Sequence, residues 1–123
     1  MEIWLKGGSY FPGLLRKNAY LINTVCTAED VQLAIENGVD GVVISNHGGR
    51  QLDGQPATLD ALRDCAPVAR GKIPLAIDGG IRSGADIFKA IALGASMCFV
   101  GRVPIWGLAV SSLLFSSKGR KYV

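Results

Sequence analysis

Short apolar runs alternate along the chain with stripes at helical spacing. Ile3-Trp4-Leu5, Val42-Val43-Ile44, Pro74 to Ile77 and Cys98-Phe99-Val100 are the runs, and apolarity on both faces suits strands of a buried parallel sheet. Val31, Ala34 and Ile35 in one segment, and Ile87, Ala90 and Ile91 in another, give amphipathic helices. Thr27 and Ser83 stand as their caps, with Asp30 and Asp86 at the third helical position. Gly38 and Gly94 end them. A further helix starts near Thr58. The strands expected are Ile3–Lys6, Gly41–Ser45, Pro74–Ile77 and Met97–Gly101, in the order β, α, β, α, β, α, β. That order predicts an α/β fold with a parallel sheet.

Two of these units repeat each other at a constant offset. Thr27 to Ile35 aligns with Ser83 to Ile91, and Glu36 to Ser45 aligns with Ala92 to Gly101. A closed (β/α)8 barrel has eight strands in about 250 residues, and this chain carries about half of each. An open doubly wound sheet is the alternative, but no GxGxxG opens a helix here. One segment breaks the pattern. Cutting out Gly8 to Thr24 leaves Lys6-Gly7-Val25-Cys26-Thr27, close in length to the Asp78-to-Ser83 turn of the second unit. Residues 8–24 are therefore expected to be an insertion that stays outside the sheet, since structureless loops this long are uncommon.

Composition narrows the function classes. Of 123 residues 49% are hydrophobic, enough for a core, and the net charge of +3 comes from scattered basic residues except at the C-terminus. Nothing resembles a nucleic-acid stripe. Cys26, Cys65 and Cys98 form no CxxC pair and have no histidine beside them, so they are expected to be buried or idle thiols in a reducing compartment, with no metal. Val103 to Phe115 is shorter than the roughly 20 residues a membrane helix needs. Met1 is followed by a charged residue, and no signal peptide is visible. An intracellular location is expected, with cytoplasm, peroxisome and mitochondrion not distinguished.

The densest polar cluster, Ser45-Asn-His-Gly-Gly-Arg-Gln-Leu-Asp53, follows the strand Val42 to Ile44. Barrel active sites sit at that strand end. His47 is the only histidine, and imidazole is suited to act as a base near neutrality. Arg50 offers a planar fork that can hold a carboxylate with two bonds. Ile77-Asp-Gly-Gly-Ile-Arg82 and Phe99-Val-Gly-Arg102 follow the next two strands at the same face. Their glycine turns expose backbone N–H groups and their arginines add positive charge, a pairing that suits a phosphate.

These motifs, with Ile3-Trp-Leu-Lys-Gly7, resemble the FMN-dependent α-hydroxy-acid dehydrogenases and oxidases, the family of glycolate oxidase, lactate oxidase and flavocytochrome b2. The resemblance covers Met1 to Gly7 and Val25 to Ala109, and implies the C-terminal half, strands five to eight, of a TIM barrel. It implies FMN as cofactor and oxidation of a small 2-hydroxy acid to a 2-oxo acid. By resemblance His47 is the catalytic base, Arg50 binds the substrate carboxylate, and Lys6 lies beside flavin N1 and O2. Ser45 is a flavin contact, and Asp78, Gly79, Gly80, Ile81 and Arg82, with Gly101 and Arg102, hold the ribityl and phosphate groups. Full-length relatives are expected to be homo-oligomers, and neither nucleic acid nor membrane is an expected partner.

The departures matter equally. The family's first four strands, which carry a carboxylate partner of the histidine and one wall of the substrate pocket, have no counterpart here. Residues 110–123 leave the family pattern. Gly8-Ser9 and Val110-Ser111 can each be encoded by intron-donor sequences, so translated introns are one explanation for both departures. The competing readings are a phosphate-binding barrel enzyme of the IMP dehydrogenase type, or a non-catalytic truncated product. Cys26 and Cys65 are poorly placed for the reactive cysteine that the former needs.

Overall fold

The structure, a computed structural model, describes residues 20–117. Strand β1 (Leu21–Val25) leads into helix α1 (Ala28–Glu36), strand β2 (Gly41–Ile44) and a short 3-10 turn at His47–Gly49. Helix α2 (Thr58–Ala69), strand β3 (Leu75–Ile77), helix α3 (Gly84–Ala92), strand β4 (Met97–Cys98) and helix α4 (Arg102–Ser117) follow.

The strands form one parallel sheet in chain order, β1-β2-β3-β4. A doubly wound sheet would reverse its strand order at a switch point. This sheet does not reverse, as expected for part of a barrel.

Helix starts follow from local chemistry. The Thr27 Oγ1 accepts the Asp30 N–H at 3.2 Å and donates to the Asp30 carboxylate at 2.8 Å. Asp86 accepts from the N–H groups of Arg82 at 3.1 Å and Ser83 at 2.9 Å, and from the Ser83 hydroxyl at 2.8 Å. These bonds occupy backbone donors that a helix start leaves unpaired.

Alternate strand residues turn to the helices. Val25, Val42, Ile44, Leu75 and Ile77 meet Val31 and Ala34 of α1, Ala61, Leu62 and Cys65 of α2, and Ala90 of α3 in one core. Burying an aliphatic side chain of this size contributes about 1.5–3 kcal/mol. Among the described residues no helix is long and apolar enough to cross a membrane.

The expected insertion is corrected. Leu21 to Thr24 fell inside it, yet these residues pair with β2: Leu21 with Gly41, Ile22 with Val42, Asn23 with Val43. The run Leu-Ile-Asn-Thr-Val is a short half-buried strand whose turned-in residues the sheet can bury. Its fit is imperfect. The register breaks between Asn23 and Val25, and Thr24 adopts a φ of 67°. The strand expected at Ile3–Lys6 and the rest of the expected insertion, residues 8–19, lie outside the described residues. At the other end, α4 runs without a break through the boundary expected at Ala109.

Candidate active site

Parallel strands direct their C-terminal ends to one edge, and three turns meet there. The chain leaves β2 through Ser45, which is buried. The Ser45 Oγ accepts the His47 N–H at 3.1 Å, and its carbonyl accepts from Cys26 Sγ at 3.1 Å. His47, Gly48 and Gly49 then take φ of 57°, 68° and 69°. Histidine is one of the few side chains that visits this left-handed region with any frequency. The three-residue reversal leaves His47 half-buried and Arg50 exposed.

Gly48 is constrained by more than its φ. A Cβ there would stand 3.0 Å from Arg102 Nη2. The guanidinium of Arg102, at the start of α4, therefore lies against the β2 turn.

The turn after β3 is held by α2. Thr58, buried at the first position of α2, donates from Oγ1 to the Gly79 carbonyl at 3.1 Å. Gly79 has φ of 86°, and a Cβ on it would lie 3.1 Å from Thr58 Oγ1 and 3.4 Å from Asn46 Oδ1. Gly80 continues the left-handed turn at 77°. The Asn46 Nδ2 in turn donates to the Pro56 carbonyl at 3.2 Å. Side chains of Asn46 and Thr58 thus tie both glycine turns to the N-terminus of α2.

Between these turns lies a cleft of about 400 Å³. Gly79, Gly80, Ile81, Arg82 and Arg102 line it. Lys89 of α3 adds a third cation, and Asp86 a carboxylate. The Ser83 hydroxyl, then the backbone N–H groups of Arg82 and Ser83, hold the Asp86 carboxyl below its ordinary value of 3.8. Asp78, between the cleft-lining Ile77 and Gly79, has a buried Oδ1 with no hydrogen-bond partner among the described residues. Such an acceptor calls for a donor.

Other expected site residues lie at the same edge but do not line the cleft: Ser45, His47, Arg50, Asp78 and Gly101. Lys6 lies outside the described residues. Asn46, Thr58 and Lys89 were missed. The Thr58–Gly79 bond joins residues far apart in sequence, so spacing alone gave no signal of it; Asn46 sat within the polar cluster and was passed over.

A parallel βα sheet in chain order, with glycine turns and arginines at its C-terminal edge, defines a piece of a (β/α)8 barrel. The chain belongs to the FMN-dependent dehydrogenase family, whose model matches residues 16–112. An "Oxidase FUB9" of Gibberella fujikuroi is 56% identical over 109 residues, covering 89% of this chain and 26% of that protein. A peroxisomal (S)-2-hydroxyacid oxidase of Arabidopsis thaliana is 53% identical over 89 residues, 72% of this chain and 24% of that protein. A crystal structure of mandelate oxidase with (S)-2-phenylpropionate superposes with a TM-score of 0.73 at 41% identity, covering 76% of this chain and 28% of that one. The chain thus spans about a quarter of the length of these relatives.

Proposed function

We propose that this chain forms the phosphate-binding and proton-accepting part of a 2-hydroxy-acid oxidase site that uses FMN. One observation carries the reading: Arg102 lies against Gly48, so the phosphate-type turns and the His47 loop share one edge and one cleft. The residues present fit the cofactor. Arg82, Arg102 and Lys89 supply charge for a phosphate, and the Gly79-Gly80 turn supplies backbone N–H groups. The unpartnered Asp78 Oδ1 suits a ribityl hydroxyl. Bound FMN would supply the two-electron acceptor.

The chain's own residues do the rest. Arg50 holds the carboxylate of the 2-hydroxy acid and so orients it. The His47 imidazole accepts a proton from the 2-hydroxy acid. Ser45 holds the His47 N–H and thereby the loop. The names of the plant, fungal and mandelate relatives support an oxidase of small 2-hydroxy acids, and the Arabidopsis name supports a location inside the cell.

This chain alone binds FMN weakly and does not turn over glycolate or lactate, because one wall of the pocket belongs to the remaining strands of its longer relatives. The test is flavin absorbance of the purified chain, then 2-hydroxy-acid oxidation after a relative's N-terminal half is supplied. Activity lost in His47→Ala is expected. FMN binding untouched by Arg82→Ala and Arg102→Ala together, or turnover untouched by His47→Ala, overturns the reading.

A further inference from the structure

His47 is held through its backbone and not through its ring. Its N–H donates to Ser45 Oγ at 3.1 Å, while nothing among the described residues hydrogen-bonds the imidazole. The backbone therefore decides where the imidazole stands. That backbone is strained, since His47 has a φ of 57° and opens a run of three left-handed residues. A strained turn persists only where its surroundings fix it.

The two chain neighbours of His47 supply that hold, one on each side. Asn46 precedes it. The Asn46 Nδ2 donates to the Pro56 carbonyl at 3.2 Å, and its Oδ1 lies 3.4 Å from where a Cβ on Gly79 would stand. Gly48 follows it, and a Cβ there would stand 3.0 Å from Arg102 Nη2. Gly79 belongs to the turn after β3, and Arg102 opens α4 after β4. Each neighbour of His47 thus rests on a different turn, and all four of these residues line the one cleft.

We infer that Asn46 is a positioning residue for His47, joining the base to the Gly79 turn so that an anion seated in the cleft sets the place of the imidazole. The inference rests on the reading of the cleft as a phosphate seat. An anion held by Arg102 and by the Gly79-Gly80 turn fixes both supports of His47 at once. The phosphate group, which takes no part in the oxidation, then contributes to placing the base. Of the two links, Asn46 is the uncharged one. Its loss therefore spares the cations that hold the anion. Asn46 is also half-buried and outside the apolar core, so shortening it leaves that core intact. The field of the anion acts on His47 through space with or without Asn46, which separates a positioning role from a purely electrostatic one.

The experiment uses the whole chain, with inorganic phosphate as the probe. His47 is the only histidine, so its Hε1 proton gives one NMR signal that reports this imidazole alone. Phosphate is titrated in at fixed pH and ionic strength, and its binding is followed separately by phosphorus NMR. Saturation moves the His47 signal in the native chain. In Asn46→Ala, and in Asn46→Ser, whose side chain is too short to reach Pro56 and Gly79, phosphate still binds but most of that movement is lost. Both variants keep the native circular dichroism spectrum, and either one, once folded, suffices for the comparison. Full movement in a folded variant that binds phosphate overturns the inference alone. Phosphate bound to the native chain with the His47 signal unmoved does the same. A native chain that binds no phosphate overturns the inference together with the phosphate reading.

Discussion

The Thr58 hydroxyl donates to the Gly79 carbonyl at 3.1 Å, and so the start of α2 fixes the turn that follows β3. Thr58→Val keeps the shape and removes the donor. A stability loss of about 1 kcal/mol is expected, the net worth of one hydrogen bond. FMN affinity falls with it, while riboflavin, which lacks the phosphate, is bound as before. Urea denaturation and flavin fluorescence titration measure the two effects. Equal weakening of FMN and riboflavin would show that the turn does not act on the phosphate.

Gly48 and Gly49 separate backbone strain from crowding. Both have left-handed φ, but only at Gly48 does an added Cβ meet Arg102; at Gly49 nothing lies within 4 Å. Each change to alanine costs about 1–2 kcal/mol of backbone strain. Gly48→Ala alone also displaces the Arg102 guanidinium and weakens FMN binding. Thermal unfolding should rank the two variants together, and the titration should set them apart.

Thr24 occupies a φ of 67° with a β-branched side chain. Thr24→Gly relieves that strain, although glycine is costlier to order. A net gain of up to about 1 kcal/mol is expected in urea denaturation. Unchanged or lower stability would mean that the register break beside Thr24 relaxes without cost.

Asp86 gives a pH dependence with a definite sign. Its folded carboxyl titrates below the ordinary 3.8, chiefly through the Ser83 hydroxyl. The stability it contributes is therefore present above the unfolded value and lost as pH falls from there through the folded value. The urea midpoint of the native chain should drop over that acid window more than that of Asp86→Asn. Parallel pH curves for the two proteins would contradict this.

Burial pushes the Cys65 thiol up to about 11. A thiol reagent at pH 8 should modify Cys65 only when the chain unfolds, since the thiolate is the nucleophile. Cys26 and Cys98 are half-buried and should react sooner. Mass spectrometry of the labelled peptides gives the order.

Much of this is legible in the sequence. The strands at Val42–Ile44 and Leu75–Ile77, the caps Thr27 and Ser83, and the glycine turns all announce themselves through local chemistry. Strand β1 did not. Residues 8–24 read as an insertion because Lys6-Gly7 joined to Val25 mimics the second unit so well. Thr24 holds a left-handed φ at the position where that joining would set Gly7, which explains both why the excision was persuasive and why the strand is irregular. Asn46 and Thr58 stayed hidden because their partners, Pro56 and Gly79, are distant in the chain and become neighbours only when the turns assemble.

The sheet runs in the order in which the chain is made. Each strand needs only its predecessor and the one helix between them, so the β1-α1-β2 pairing can close while later residues are still in the ribosomal tunnel. Loop-closure entropy is then met in small instalments rather than at once. Growth of this kind is vectorial, and at every stage the most recent strand presents the bare edge. Among the described residues β4 is the last strand laid down, so its outer edge is the one that waits longest for a partner during synthesis.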